Sequence, residues 1–170
     1  MTWITADTHF GHKNIVKYCN RPFSTIEQMN KTLIDNWNSR VSKKDTVYFL
    51  GDFCFGKPEQ YIAELNGNII FIKGSHDSKI KAPYIIPLRI ILDGDDKLIV
   101  LCHYAMRSWE KSHYGSWHLF GHHHGNLPPY GLSFDVGVDC WDYYPISLDE
   151  VADKMKTLKP IIDFSRLTSS

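Results

Sequence analysis

Apolar residues in the first half of the chain come in short blocks, and each block stops at a glycine and a group of ionisable side chains. Met1 to Ala6 is an apolar and β-branched run that ends at Asp7, His9 and Gly11. Such a run fits a strand covered on both faces, because alternation disappears when neither face meets water. Thr46 to Leu50 repeats the pattern and ends in Gly51 and Asp52; Ile69 to Ile72 repeats it again and ends in Gly74, Ser75, His76 and Asp77. Between these runs, Ile26, Met29, Leu33, Ile34 and Trp37 recur at helical spacing. Ser24 or Thr25 suits the N-cap of that helix, with Glu27 or Gln28 placed for a capping box. Pro58 to Leu65 predicts a further helix with proline in its first turn, ended by Asn66-Gly67-Asn68. His12, Asn14, Tyr18 and Arg21 fall in a loop that Pro22 closes to any helix. Strands and helices in this rhythm predict an α/β domain.

The second half changes character. Tyr84 to Leu92 and Lys97 to Cys102 flank Asp93-Gly94-Asp95-Asp96, the composition of a hairpin turn. After His103 comes an aromatic-rich segment through Trp109, Tyr114 and Trp117, then Leu119-Phe120-Gly121-His122-His123-His124-Gly125. Ser133 to Val138 reads as a late strand and Leu148 to Leu158 as a closing helix. At 170 residues the chain is expected to form a single domain over 1–170, with a polar tail from about 160 that is frayed or surface-bound after Asp163.

With 43% hydrophobic and 14% aromatic residues, the composition excludes disorder and a disulfide scaffold. Nineteen basic and nineteen acidic residues cancel, so no excess positive charge favours a stable complex with duplex nucleic acid or a membrane surface. Four separated cysteines without C-x-x-C, no leader-like start and no apolar run near the roughly 20 residues of a membrane span predict a cytoplasmic protein. Nine histidines, several of them clustered, direct the search for function.

Asp7 and His9 alternate at a strand end and so face one side of the chain. Either alone is an ordinary loop residue. Together with Asp52, Ser75-His76-Asp77, His103, His122 and His124, each at the end of a predicted strand, they make a set of carboxylates and imidazoles gathered at one sheet edge. Nitrogen and oxygen ligands of this kind suit Zn, Mn, Fe or Ni, and a two-metal hydrolase is the natural reading. His123, on the opposite side of its strand end, is not expected to be a ligand.

This ordered set resembles the calcineurin-like metallophosphoesterases, in a short form found among bacterial and phage proteins. The family pattern D-x-H, G-D-x, G-N-H-D/E, H and G-H-x-H is met by Asp7-Thr8-His9, Gly51-Asp52-Phe53, Gly74-Ser75-His76-Asp77, His103 and Gly121-His122-His123-His124. The resemblance implies a four-layer αββα sandwich, with two mixed β-sheets and a dimetal site at the strand-end edge. Carried over by position, Asp7, His9 and His124 hold a first divalent metal, Asp52 bridges, and His103 and His122 hold a second. The implied mechanism is attack by a metal-bridging hydroxide, with manganese among the candidate ions. His76, oriented by Asp77, would then stand beside the scissile phosphate and assist the leaving oxygen.

The chain departs from the family at Ser75, where an asparagine normally supplies an amide oxygen to the second metal. Two functions follow from that difference. The first is a metal-dependent phosphoesterase, with phosphodiesters foremost, acting on a small phosphomonoester or phosphodiester, nucleotide-like esters included. The second is a metal-binding regulatory or interaction module whose catalysis Ser75 has weakened. No G-x-S-x-G or P-loop offers another hydrolytic route.

Four residues are candidates for contact with substrate. Arg107 and Arg21 carry guanidinium forks able to clamp phosphate, with a solvent ion pair as the ordinary alternative. Asn14 either meets substrate or caps a helix, and His12 directly follows the Asp7 loop. His113 and His118 read as structural or surface residues. Tyr104, Trp109 and Tyr114 either stack on a base or cover the core, and Trp117 reads as core.

Overall fold

The computed structural model describes residues 1–161; the frayed or surface-bound tail expected after Asp163 lies outside the described residues. In chain order the elements are β1 (Thr2–Thr5), α1 (Ile15–Tyr18), α2 (Ile26–Arg40), β2 (Thr46–Leu50), α3 (Pro58–Ile62), β3 (Asn68–Ile72), β4 (Ile85–Leu92), β5 (Asp95–Cys102), β6 (Trp117–Phe120), β7 (Ser133–Asp135), β8 (Ile146–Ser147) and α4 (Leu148–Lys156). They build two mixed four-stranded sheets, ordered β3-β2-β1-β8 and β4-β5-β6-β7. In the first, β1, β2 and β3 run parallel and β8 antiparallel; in the second, β4 and β5 form a hairpin and β5, β6 and β7 run parallel. These are the two mixed sheets that the family resemblance implied.

Side-chain alternation explains why β1 and β2 lack a polar face. Trp3, Val47 and Phe49 pack outward against Met29, Leu33 and Trp37 of α2. Ile4, Leu50 and Ile72 point the other way and meet Ile99, Leu101, Leu119 and Phe134 of the second sheet, with Val151 and Met155 of α4. The far side of the second sheet carries a thinner cover, the segment between β5 and β6. There His118 is fully buried, its ring 5.4 Å from that of Trp109. Its Nδ1 lies 2.9 Å from the Val100 carbonyl and its Nε2 accepts from the Met106 N–H. Trp117 lies in the core between the sheets.

Caps follow the expected chemistry. The Thr25 hydroxyl accepts from the Gln28 N–H, and the Gln28 side chain accepts from the Ser24 N–H. Ser147 and Glu150 form a reciprocal capping box on α4.

Several boundaries differ from the sequence expectation. The segment before Pro22, expected as loop, contains the single turn α1, closed three residues before the proline. The hairpin turn is two residues long: Asp93 and Gly94 both have positive φ, at 51° and 84°. Asp95 and Asp96 instead pair with Leu92 and Ile91 in the ladder, as a primed turn requires. The late strand stops at Asp135, and a 3-10 turn over Val138–Cys140 follows. No described helix is long and apolar enough to cross a membrane.

Candidate metal centre

The parallel strands of both sheets deliver their carboxyl ends to one edge, the usual place for a site in such sheets. β1 leads to Asp7 and His9, β2 to Asp52, β3 to Ser75 and His76, β5 to His103, and β6 to His122 and His124. Two trios of motif residues form there, and a third group, Cys19, His124 and Asp139, shares His124 with the first. One ligand atom each from Asp7, His9 and His124 lie within 4.8 Å of one another, and so do those from Asp52, His103 and His122. Asp52 stands where the trios meet: its Oδ2 is 3.4 Å from His103 Nε2 and 3.7 Å from His9 Nε2.

Five of these six residues have left-handed backbone: Asp7 (φ 59°), His9 (49°), Asp52 (58°), His122 (71°) and His124 (49°). Side chains other than glycine pay strain there, and such strain gathers at functional sites. The glycine of G-H-x-H has a local reason as well. A Cβ at Gly121 would meet Asp7 Oδ2 at 2.6 Å, the oxygen that accepts from the His122 N–H at 2.8 Å.

The donor set suits cations. Asp7, His9, Asp52 and His103 are all buried, yet Asp7 Oδ1, both ring nitrogens of His9 and His103 Nε2 have no hydrogen-bond partner. Buried polar atoms are seldom left this way, because each costs its desolvation without return. Divalent ions between the trios would use these atoms. Burial pushes the Asp7 carboxyl up to about 7 and the His9 imidazole down to about 3. His124 goes the other way: burial alone would lower it, but its hydrogen bond with Asp139, with further help from Cys19 and Asp7, raises it to about 10.

A cation must displace the protons on these groups, so metal uptake near pH 7 is expected to release protons, chiefly from His124 and Asp7, and affinity should fall as pH is lowered. Metal titration by calorimetry in buffers of different ionisation enthalpy measures that release; uptake without it would show that the protonated groups take no part.

Hydrogen bonds behind the trios fix the rings. His103 Nδ1 lies 2.7 Å from the Leu50 carbonyl, which leaves Nε2 toward Asp52. His124 Nδ1 lies 2.7 Å from Asp139 Oδ2, the carboxylate–histidine arrangement that orients metal-binding imidazoles. The sequence reading missed Asp139. It follows His124 by fifteen residues, on a 3-10 turn, and carries no motif of its own.

Arg21, expected as a phosphate clamp, is corrected to a buried structural residue. Its guanidinium grips both oxygens of Asp139 at 2.8 Å and donates to the carbonyls of Asp7 and Thr8, leaving no fork for substrate. Arg21→Ala leaves His124 as the one remaining ion-pair partner of Asp139 among the described residues, and truncating one member of a buried pair costs about 3–5 kcal/mol. A drop in unfolding free energy under 1 kcal/mol in denaturant titration would contradict this role.

Asp77 also differs from expectation. Its carboxylate accepts from the backbone N–H groups of Asp52, Phe53 and Gly74, so it ties the β2 and β3 loops together rather than orienting His76. Ser75 lies at the site, but its hydroxyl donates to the Asp52 carboxylate at 3.0 Å.

His76 faces the trios with its side chain 45% exposed and Nε2 3.9 Å from Asp52 Oδ2. His12 stacks on Phe55 at 3.9 Å between ring centroids, with the His9 ring 5.4 Å away. Phe55, absent from the sequence reading, thus joins His12 and His76 in a rim around the site. Tyr104 stands by the second trio, its ring 4.9 Å from His103 and 5.0 Å from His122. Asn14 is exposed at the N-cap position of α1, without a side-chain cap bond. Arg107 is exposed, its guanidinium carbon 5.7 Å above the Tyr130 ring.

No family model matches the sequence. The uncharacterized protein MJ1445 of Methanocaldococcus jannaschii is 39% identical over 176 residues, covering 95% of this chain and 96% of that protein. The gene 66 protein of Mycobacterium phage L5 is 35% identical over 82 residues, covering 45% of this chain and 39% of its own. Among solved structures, the protein of unknown function AQ665 from Aquifex aeolicus shares the fold, with a TM-score of 0.67 and 24% identity over 91% of this chain and 98% of that one.

Proposed function

We propose that this chain, which belongs to one family with the Methanocaldococcus jannaschii protein, is a calcineurin-like phosphoesterase dependent on two divalent cations. The observation that carries the reading is the meeting of the two trios at Asp52 over buried ligand atoms that no protein group satisfies. Asp7, His9 and His124 would hold one ion, His103 and His122 the other, with Asp52 between them. When bound, two such ions neutralise phosphate charge and lower the pKa of a water, and the nitrogen-rich ligands suit Mn, Fe, Ni or Zn.

The chain's own residues do the rest. Asp139 holds the His124 ring, Arg21 holds Asp139, and His76 hands a proton to the departing ester oxygen. His12 and Phe55 form the wall beside it. The substrate is a small phosphate ester, with phosphodiesters foremost, and the whole chain acts as one domain. A reducing cytoplasm suits the four unpaired cysteines. Hydrolysis of a chromogenic phosphodiester, measured with each metal and after chelation, tests the reading. Turnover by protein shown to be metal-free would overturn it.

The engagement of Ser75 with Asp52 keeps the second reading, a metal-binding module with little catalysis, in view. Ser75→Asn separates the two. In an enzyme the added amide oxygen should tighten the weaker ion on the order of tenfold and raise activity at limiting metal. Tighter metal without catalysis would favour the module.

A further inference from the structure

A cavity of about 340 Å³, within the size range of small-molecule pockets, is lined by segments that adjoin the candidate centre in sequence. The segments that build it are those that carry three of the site histidines. Met106 and Arg107 follow His103, Phe120 precedes His122, and Leu127, Pro129 and Tyr130 follow His124. Its walls are apolar, and two of its large side chains are open to solvent: Leu127 is 37% exposed and Tyr130 43%. Two adjacent prolines, Pro128 and Pro129, stiffen one side. Its polar elements are Ser133 and the guanidinium of Arg107, which lies over the Tyr130 ring and has no ion-pair partner among the described residues. A flat aromatic surface beside an unpaired planar fork of donors matches a ligand that is itself flat and carries acceptors on its edge.

We propose that this cavity receives the nucleobase of a nucleoside phosphate ester, which displaces the exposed Arg107 guanidinium from over Tyr130 to stack on that ring and takes hydrogen bonds from Arg107 at its edge, while the phosphate lies at the trios. The assignment rests on the phosphoesterase reading for the phosphate alone; the base pocket stands on its own walls. It also gives Arg107 a role in recognising the organic part of the ester instead of clamping phosphate.

Adenosine, which has no phosphate, titrated into protein stripped of divalent ions tests the pocket without catalysis. Saturable shifts of the Met106 and Leu127 methyl resonances are expected. Tyr130→Ala, a change at an exposed side chain, should weaken adenosine roughly 5- to 150-fold, the range of base–aromatic stacking. No saturable shift, or equal affinity in Tyr130→Ala, would overturn the proposal. So would shifts with pyrophosphate and none with adenosine, which would make the cavity a second anion site. With metal restored, the ratio of kcat/KM for a nucleoside phosphodiester to that for a dialkyl phosphate should fall in Tyr130→Ala. Adenosine binding in a protein that hydrolyses no ester would keep the pocket and remove the phosphoesterase reading; hydrolysis of dialkyl esters without adenosine binding would do the reverse.

Discussion

Asp52→Asn is expected to abolish phosphoesterase activity while leaving the fold in place. The amide keeps the shape of the side chain and can still accept from the His76 N–H and the Ser75 hydroxyl, bonds now made at 2.8 Å and 3.0–3.2 Å. It cannot supply the negative charge that stands within 4 Å of His9 and His103. That charge survives burial because the His103 imidazole 3.4 Å away, with the His76 N–H and the field of His9, holds the carboxyl well below its ordinary range. Metal analysis and turnover on one preparation check the expectation. An Asp52→Asn protein with full activity and two bound ions would show that the centre does not depend on a bridging carboxylate.

His76→Ala should divide substrates by leaving group. Proton donation in the transition state contributes about 10²–10⁴-fold, and that help is needed for an alkoxide and hardly at all for nitrophenolate. Loss of turnover by that factor on alkyl diesters, with little loss on nitrophenyl diesters, is the expected pair of results. Metal content should hold, because the backbone N–H of residue 76 still reaches Asp52 Oδ1 and the ring belongs to neither trio. Equal losses on both ester types would remove His76 as the proton donor; loss of metal would make it structural.

The first sheet was readable in the sequence because β1 and β2 are covered on both faces, the edge strand β3 keeps an apolar run that is partly covered, and each of the three ends in a polar loop, so pattern and topology coincide. The edge strand β8 was not, since two residues are too short to show a period. At the site, residues in the motif blocks met at one edge, whereas their supports were invisible. Arg21 looks the same in sequence whether its fork faces solvent or Asp139. Only the tertiary path of the chain, which brings residue 139 behind His124, decides between them. Asp77 was assigned to its neighbour His76, but a short carboxylate between two strand ends finds backbone N–H groups closer at hand than an imidazole.

Each trio takes members from both sheets: Asp7 and His9 with His124, and Asp52 with His103 and His122. An ion held by either trio is therefore also a rivet through the sandwich, joining parts of the chain more than a hundred residues apart in the first case. Such a rivet stabilises the folded form in proportion to the logarithm of free metal over its dissociation constant. The two sheets, otherwise held together by their shared apolar layer, would then open as one unit when loaded and more independently when stripped. Metal supply would thus set how long the protein persists as well as whether it works.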